Sequence, residues 1–172
     1  MHQRTAALVE ALLDGVTAHL ALQARTGIWP AYSEYLLYAP IVAISSHLRW
    51  HVDCEHKLPK AKIGRGDNRR LDFMMTQRGL GLAAAIEVKW PRSPNAVISV
   101  TRDVKKLQEV VAPSGCKIDA RLLLVAGPHE IAADGSPILR PRLTPKMQQV
   151  HGVRALGSGK RAWGVSIFSV EA

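Results

Sequence analysis

The sequence is poor in cysteine and aromatic residues and has no long uninterrupted apolar run. Its two cysteines, Cys54 and Cys116, form no CxxC pair, which argues against a disulfide framework and favours a reducing compartment. The N-terminal segment is interrupted by Glu10 and Asp14 and lacks the continuous apolar core of a signal peptide. No run approaches the ~20 apolar residues that a membrane-spanning helix needs. We therefore expect a cytoplasmic protein that does not enter a membrane.

Acidic residues are scarce relative to basic ones. The 172 residues include 23 Lys and Arg against 14 Asp and Glu, which leaves a formal net charge of +9. Such an excess favours a polyanionic partner, with nucleic acid the first expectation and an anionic membrane surface the second, although a basic protein with no such partner fits the charge as well. The length and the 47% hydrophobic content predict one globular domain with a substantial core.

The most informative stretch is residues 68–90, which we interpret as a β-hairpin. Two arms of β-prone and apolar residues, 71–77 and 82–89, flank the turn 78–81, whose glycines supply the positive φ that tight turns need. If Gln77 pairs with Leu82, the register places Asp72 directly opposite Glu87, with Cβ atoms roughly 4.5–5.5 Å apart. Side chains two apart on a strand share a face, so Lys89 joins the two acids.

Two carboxylates at this separation repel each other and need compensation. A divalent cation such as Mg²⁺ or Mn²⁺ is the strongest candidate, because hard cations prefer carboxylate oxygens. The alternative is a surface hairpin in which Lys89 merely neutralises one acid. The apolar run before Glu87 indicates a buried strand, and charges inside a core usually have a function.

Asp72 and the run Glu87-Val88-Lys89 resemble the active-site motif of the PD-(D/E)XK nuclease superfamily, the restriction-endonuclease-like fold. The resemblance extends to an acid before the first strand (Glu34), an acid on that strand (Glu55), a helix near 101–111 and a strand at 121–126. Leu71 stands where the proline of the family name would be. The resemblance implies an α/β fold with a central mixed β-sheet flanked by helices, in the order αβββαβ. We expect a single domain, 1–172, with N-terminal helices in 1–50, a catalytic core in 51–126, and an irregular segment and last strand in 127–172.

The resemblance further implies a metal-dependent endonuclease that hydrolyses phosphodiester bonds, with DNA the expected substrate. Asp72, Glu87 and the backbone carbonyl of Val88 would bind Mg²⁺ or Mn²⁺. Lys89 would orient or deprotonate the attacking water, or neutralise charge in the transition state. Glu34 either stabilises the start of its helix or reaches the metal site. Two alternatives stay open: a catalytically silent protein of this fold that binds nucleic acid or serves as a subunit of a larger complex, and an unrelated α/β protein.

Seven basic residues and one glutamine near this hairpin are candidate nucleic-acid contacts. They lie in the stretch before Asp72 and on the following helix: Lys57, Lys60, Lys62, Arg65, Arg69, Arg70, Lys105 and Gln108. The alternative for the first group is a solvated loop. Because the chain has little room for a separate recognition domain, a homodimer or a protein partner is the expected source of any sequence specificity.

Other patterns give expectations about packing. Leu8, Leu12, Val16 and Leu20 predict an amphipathic helix over 5–24. On the helix near 101–111 we expect one apolar and one solvated face. The first holds Val104, Leu107, Val110 and Val111, and the second holds Arg102, Lys105, Lys106 and Glu109. We expect a short helix at 145–151 and a last strand at 163–170.

A cluster of possible zinc ligands occurs at His47, His51, Cys54 and His56. It straddles a predicted helix end and the strand 51–58, which would scatter the side chains, so we do not expect a zinc site. Alternation along that strand places Glu55 on the face opposite Cys54, as an exposed edge residue, while the resemblance keeps it as a candidate site residue.

Overall fold

In a computed structural model, the chain is described over residues 1–25, 34–58, 70–91, 98–128, 147–156 and 163–172. Helix α1 (Gln3–Arg25) is followed by a 3-10 turn (Glu34–Leu37) that leads into α2 (Tyr38–His47). Then come the strands and the third helix: β1 (His51–Lys57), β2 (Arg70–Gln77), β3 (Leu82–Lys89), α3 (Ile98–Gln108), β4 (Lys117–Pro128), β5 (Met147–Leu156) and β6 (Trp163–Val170).

The strands form one mixed sheet in the order β1-β2-β3-β4-β6-β5. Strands β3 and β4 are parallel and are connected through α3, whereas the other neighbouring pairs are antiparallel. The prediction of an α/β protein with a mixed sheet flanked by helices is therefore confirmed. The predicted helix at 145–151 is wrong over residues 147–151, because this segment hydrogen-bonds along β6 and continues the sheet. The predicted last strand is confirmed as β6.

The β2–β3 hairpin has the predicted register. Gln77 pairs with Leu82, and the pairing continues without a slip to Phe73 opposite Ile86. A short 3-10 turn (Arg78–Leu80) leads into Gly81, whose φ of 63° lies in the left-handed region that glycine adopts without steric cost. The turn glycine thus fixes which side chains of the two arms meet at the open end of the hairpin.

Helices α1 and α2 cover one face of the sheet. The stripe predicted for α1 is buried, with Leu8, Leu12 and Val16 at 0% exposure, and it packs in one cluster with Phe73 and Ile86. By length and composition alone α1 would be capable of crossing a membrane. Its buried stripe lies against the sheet and α2.

Helix α3 covers the other face. Val104, Leu107 and Val110 pack with Ala83, Ala85 and Leu123. The expectation that Val111 joins them is wrong. Helix α3 ends at Gln108, and the side chain of Val111, three residues further along the chain, is 60% exposed. Helix α3 therefore lies over β3, on the face of this strand that Ala83 and Ala85 share with Glu87 and Lys89.

Candidate active site

Asp72 and Glu87 lie side by side at the open end of the hairpin. The backbone N–H of Asp72 donates to Oε1 of Glu87 at 3.4 Å, and the backbone N–H of Val88 donates to Oδ2 of Asp72 at 2.7 Å. The first contact joins the residues that the predicted register placed opposite each other. Glu87 is only 1% exposed, and Asp72 is partly buried. The structure therefore brings both predicted carboxylates to one place.

Their surroundings favour the protonated forms of these acids. Burial, followed by the neighbouring charge of Asp72, raises the pKa of Glu87 to about 8, against the opposing effect of Lys106. Burial also raises the pKa of Asp72, although the Val88 N–H and the Tyr38 hydroxyl stabilise its ionised form. A proton or a cation is needed before both groups can be accommodated near neutral pH.

Lys89 is held between two acids on opposite sides of the sheet edge. Its Nζ lies 3.1 Å from Oδ2 of Asp103 on α3 and 3.4 Å from Oε1 of Glu34 at the start of the 3-10 turn. Burial alone would lower the pKa of Lys89, but the charges of Asp103 and Glu34 outweigh it and raise the pKa. Glu34 also accepts the backbone N–H of Trp90 at 3.3 Å. Glu34 thus reaches the site through Lys89.

Lys106 is a central part of this cluster, and the expectation that it faces solvent is wrong. Its Nζ lies 2.7 Å from Oε1 of Glu87, donates to the backbone carbonyl of Arg70 at 2.9 Å, and lies 3.4 Å from Oδ1 of Asp103. The long aliphatic stem of a lysine can run along an apolar helix face while its ammonium reaches a charged partner. Periodicity alone assigned the residue to the wrong side.

Asp103 is the second site residue that the sequence reading missed. It is 5% exposed and contacts both Lys89 and Lys106, so it joins the two ammonium groups. A signal was present in the sequence, since Asp103 lies three residues after Val100 and four before Leu107, within the apolar stripe of the helix. A lone acid in such a stripe indicates a buried partner of opposite charge.

Tyr38 links Asp72 to a further carboxylate, that of Glu55, and it too was missed. Its hydroxyl lies 2.8 Å from Oδ1 of Asp72 and 3.0 Å from Oε1 of Glu55. A phenol carries one hydrogen and can donate to only one of them at a time. Burial and the charge of Asp72 raise the pKa of Tyr38, which keeps this hydrogen in place.

Glu55 departs from the alternation that its strand predicted. Its φ of 55° is left-handed, which is uncommon for a residue other than glycine, and it turns the side chain toward Tyr38. Arg70 Nη1 lies 4.0 Å from its other oxygen, Oε2. Glu55 lies on the edge strand β1 with its side chain 38% exposed, as expected, but the local backbone does not follow the regular period of two on which its face was assigned.

The chemistry of the donors suits a hard divalent cation. Carboxylates outnumber cationic side chains in the cluster, which comprises Glu34, Glu55, Asp72, Glu87 and Asp103 with Arg70, Lys89 and Lys106. Within the described residues, no three His, Cys, Asp or Glu side chains converge as a metal-binding group. Mg²⁺ is commonly bound through one or two carboxylates while it keeps several waters, so Asp72, Glu87 and the Val88 carbonyl are a compatible set.

The candidate nucleic-acid contacts divide into three groups. Lys57, Arg70 and Lys105 are exposed, on β1, β2 and α3. Gln108 instead donates its amide hydrogen to the backbone carbonyl of Glu171 at 3.1 Å. Lys60, Lys62, Arg65 and Arg69 lie outside the described residues.

The possible zinc ligands do not assemble. His56 Nδ1 pairs with Asp53, and Cys54 is a free, exposed thiol. Over the ranges that the structure describes, no group of three ligating side chains forms around them.

No protein-family model, curated protein or solved structure matches this chain. Its function is therefore inferred from the site itself.

Proposed function

We propose that this chain is a divalent-cation-dependent nuclease of the restriction-endonuclease-like type that hydrolyses nucleic-acid phosphodiesters, with DNA the expected substrate. The observation that carries the proposal is the adjacency of Asp72 and Glu87 at the open end of the hairpin, with Lys89 two residues further along β3. The formal charge of +9 and the exposed Lys57, Arg70 and Lys105 support a polyanionic substrate.

Asp72, Glu87 and the Val88 carbonyl would hold Mg²⁺ or Mn²⁺, which supplies Lewis-acid stabilisation of charge on the phosphate oxygens and lowers the pKa of bound water. The protein orients Asp72 with two hydrogen bonds, one from the Val88 N–H and one from the Tyr38 hydroxyl. These bonds fix both carboxylate oxygens before substrate binds. Such preorganisation limits the reorganisation needed during the reaction.

Lys89 acts as a cation. Because Asp103 and Glu34 flank its ammonium, the protonated form is the stable one, and this disfavours Lys89 as the base that removes a proton from water. A protonated Lys89 donates hydrogen bonds to the phosphate or to the attacking water and neutralises charge that develops in the transition state. Of the roles that the sequence left open for Lys89, the charge-neutralising and orienting roles fit its surroundings.

A second candidate is a protein of this fold that binds nucleic acid without cleaving it. The contact of Lys106 with Glu87 favours this alternative, since an ammonium at 2.7 Å already compensates one of the two carboxylates. In a nuclease the same lysine would hold Glu87 ionised and leave its other oxygen for the cation. The two candidates differ in whether product forms.

The test is cleavage of labelled duplex, single-stranded and branched DNA and of RNA, with Mg²⁺ or Mn²⁺ and with a chelator. Wild type is compared with Asp72→Asn and Lys89→Met. Two matched controls change exposed residues of the same types outside the site, Glu10→Gln on α1 and Lys117→Met at the far end of β4. The proposal expects product from wild type and both controls, and a loss of at least about a hundredfold in Asp72→Asn. Binding without any cleavage by wild type favours the second candidate.

A further inference from the structure

A cavity lies at the other end of the β1–β2 pair. It has a volume of about 350 Å³ and is lined by Arg49, His51, Thr76, Gln77, Arg78 and Gly79. Thr76 follows Asp72 by four positions along β2, which corresponds to roughly 13 Å at 3.3 Å per residue. Within the described residues, the cavity and the candidate active site are lined by different residues.

Two residues that line this cavity carry buried polar atoms without hydrogen-bond partners among the described residues. Thr76 is 6% exposed, and its Oγ1 makes no hydrogen bond in the described part of the chain. The side-chain oxygen of Gln77 is buried and unpartnered in the same way. Buried polar groups are normally satisfied, so these two unpartnered atoms, on residues that line the cavity, are candidate contacts for a ligand. Rotation of the Gln77 amide can present either its oxygen or its NH₂ group, whereas the Thr76 hydroxyl can donate or accept.

Arg49, which lines the cavity, has an unfavourable backbone conformation. It follows α2 in a Schellman motif, in which its own N–H donates to Ser46 and the N–H of Trp50 donates to Ser45. Its φ of 64° is left-handed, and glycine is the residue usually found at this position. Strained residues cluster at functional sites, where the side chain is needed despite the cost. A glycine at position 49 would lack the guanidinium that Arg49 brings to the cavity.

We propose that this cavity binds a phosphate group. Two arginines and a histidine line it together with Thr76, and none of the lining residues in the described part of the chain is acidic. Guanidinium groups match the geometry of phosphate oxygens, and the neutral hydroxyl of Thr76 can donate a hydrogen bond to the same anion. The volume falls within the roughly 300–1,000 Å³ range of ligand pockets, which leaves room for an attached sugar.

We assign this phosphate to the backbone of a nucleic acid. This assignment rests on the proposed function. The cavity lies roughly 13 Å along β2 from the candidate active site, a distance that a bound nucleic-acid strand of a few nucleotides can span. The cavity would then hold a backbone phosphate away from the scissile bond and set the position of the strand. A free phosphate ester offers the same chemistry, and the experiment separates the two sources.

The experiment measures binding of a fluorescein-labelled oligonucleotide and, separately, of inorganic phosphate to the full chain in the presence of a chelator. Thr76→Val removes the hydroxyl with little change of shape, and Arg49→Gly removes the guanidinium while it relieves the left-handed strain. Thr101→Val, an exposed threonine on α3, is the matched control. We expect both cavity variants to bind the oligonucleotide about tenfold more weakly, with unchanged or higher Tm, and the control to bind as wild type.

Weaker binding of inorganic phosphate alone also supports the phosphate pocket, and it assigns a free phosphate compound as the ligand. If both cavity variants bind both probes as wild type does, the proposal is overturned. Cleavage by wild type with Mg²⁺ is measured in parallel. If wild type cleaves DNA and the cavity variants bind both probes as wild type does, the phosphate pocket is refuted and the nuclease proposal stands. If the cavity variants bind phosphate more weakly but wild type does not cleave, the nuclease proposal is refuted and the phosphate pocket stands.

Discussion

Lys106 Nζ lies 2.7 Å from Oε1 of Glu87, a carboxylate that is 1% exposed. The contact crosses from α3 to β3, and Asp103 on the same helix joins Lys106 to Lys89. Helix α3 therefore contributes charges to the candidate active site as well as apolar packing. Without Lys106, Glu87 would face Asp72 with no cation of its own.

Replacing Lys106 should therefore destabilise the ionised form of Glu87. In Lys106→Met we expect the pKa of Glu87 to rise further and the pH profile of kcat/KM to shift to higher pH. Stability should fall by about 1–3 kcal/mol above the pKa of Glu87, and by less at low pH, where Glu87 takes up a proton. Urea unfolding and pH–rate profiles check this, with Lys117→Met as the control. An unchanged profile and unchanged stability would contradict the assigned contact.

The pKa of Glu87 also makes stability depend on pH in a defined direction. Because this pKa is raised from 4.5 to about 8, the folded state keeps a proton that the unfolded state releases between these values. Wild-type stability should fall as pH rises through this interval. Glu87→Gln cannot ionise, so relative to wild type it should gain on the order of a few kcal/mol by pH 8, with little difference near pH 4. Urea unfolding at several pH values measures this, and a constant difference between the two proteins would refute it.

Cation binding should be linked to the same proton. A divalent ion at Asp72 and Glu87 needs both groups ionised, so below the pKa of Glu87 its apparent affinity should fall by up to about tenfold per pH unit. We expect the rise in Tm produced by MgCl₂ to be larger at pH 8 than at pH 6. Asp72→Asn should show almost no rise at either pH. Equal rises in wild type and Asp72→Asn would place the cation elsewhere.

Arg49→Gly should stabilise the protein. A left-handed backbone conformation costs a residue other than glycine roughly 1–2 kcal/mol. Part of the stability gained in Arg49→Gly is offset, because glycine has greater conformational freedom in the unfolded chain. We expect a gain of up to about 1 kcal/mol in the free energy of unfolding. Arg25→Gly, at the end of α1, is the comparison, and it should give no gain. A loss of stability in Arg49→Gly would show that the Arg49 side chain makes contacts worth more than the strain.

The hairpin could be predicted from sequence because its information is local. A two-glycine turn and apolar arms fix the register, and the side-chain period of two then fixes which residues meet. Asp72 and Glu87 were placed together on this basis alone. The helix near 101–111 and the apolar strand at 121–126 were likewise predicted, and they correspond to α3 and β4, which pairs parallel with β3.

What could not be predicted depends on contacts between distant elements. Tyr38 reaches Asp72 from α2, and no local pattern links these residues, which are 34 positions apart in the sequence. The left-handed backbone of Glu55 violates the alternation on which its placement was based. Lys106 lies next to the exposed Lys105 on one helix, and only the position of α3 over β3 decides which ammonium enters the site.

The most direct measurement is the rate of oligonucleotide cleavage as a function of Mg²⁺ concentration, in wild type and in Asp72→Asn purified in parallel. The account predicts a wild-type rate that rises and saturates with Mg²⁺, disappears with chelator, and is lost in a folded Asp72→Asn. Cleavage that is independent of Mg²⁺, or that is equal in both proteins, would contradict it.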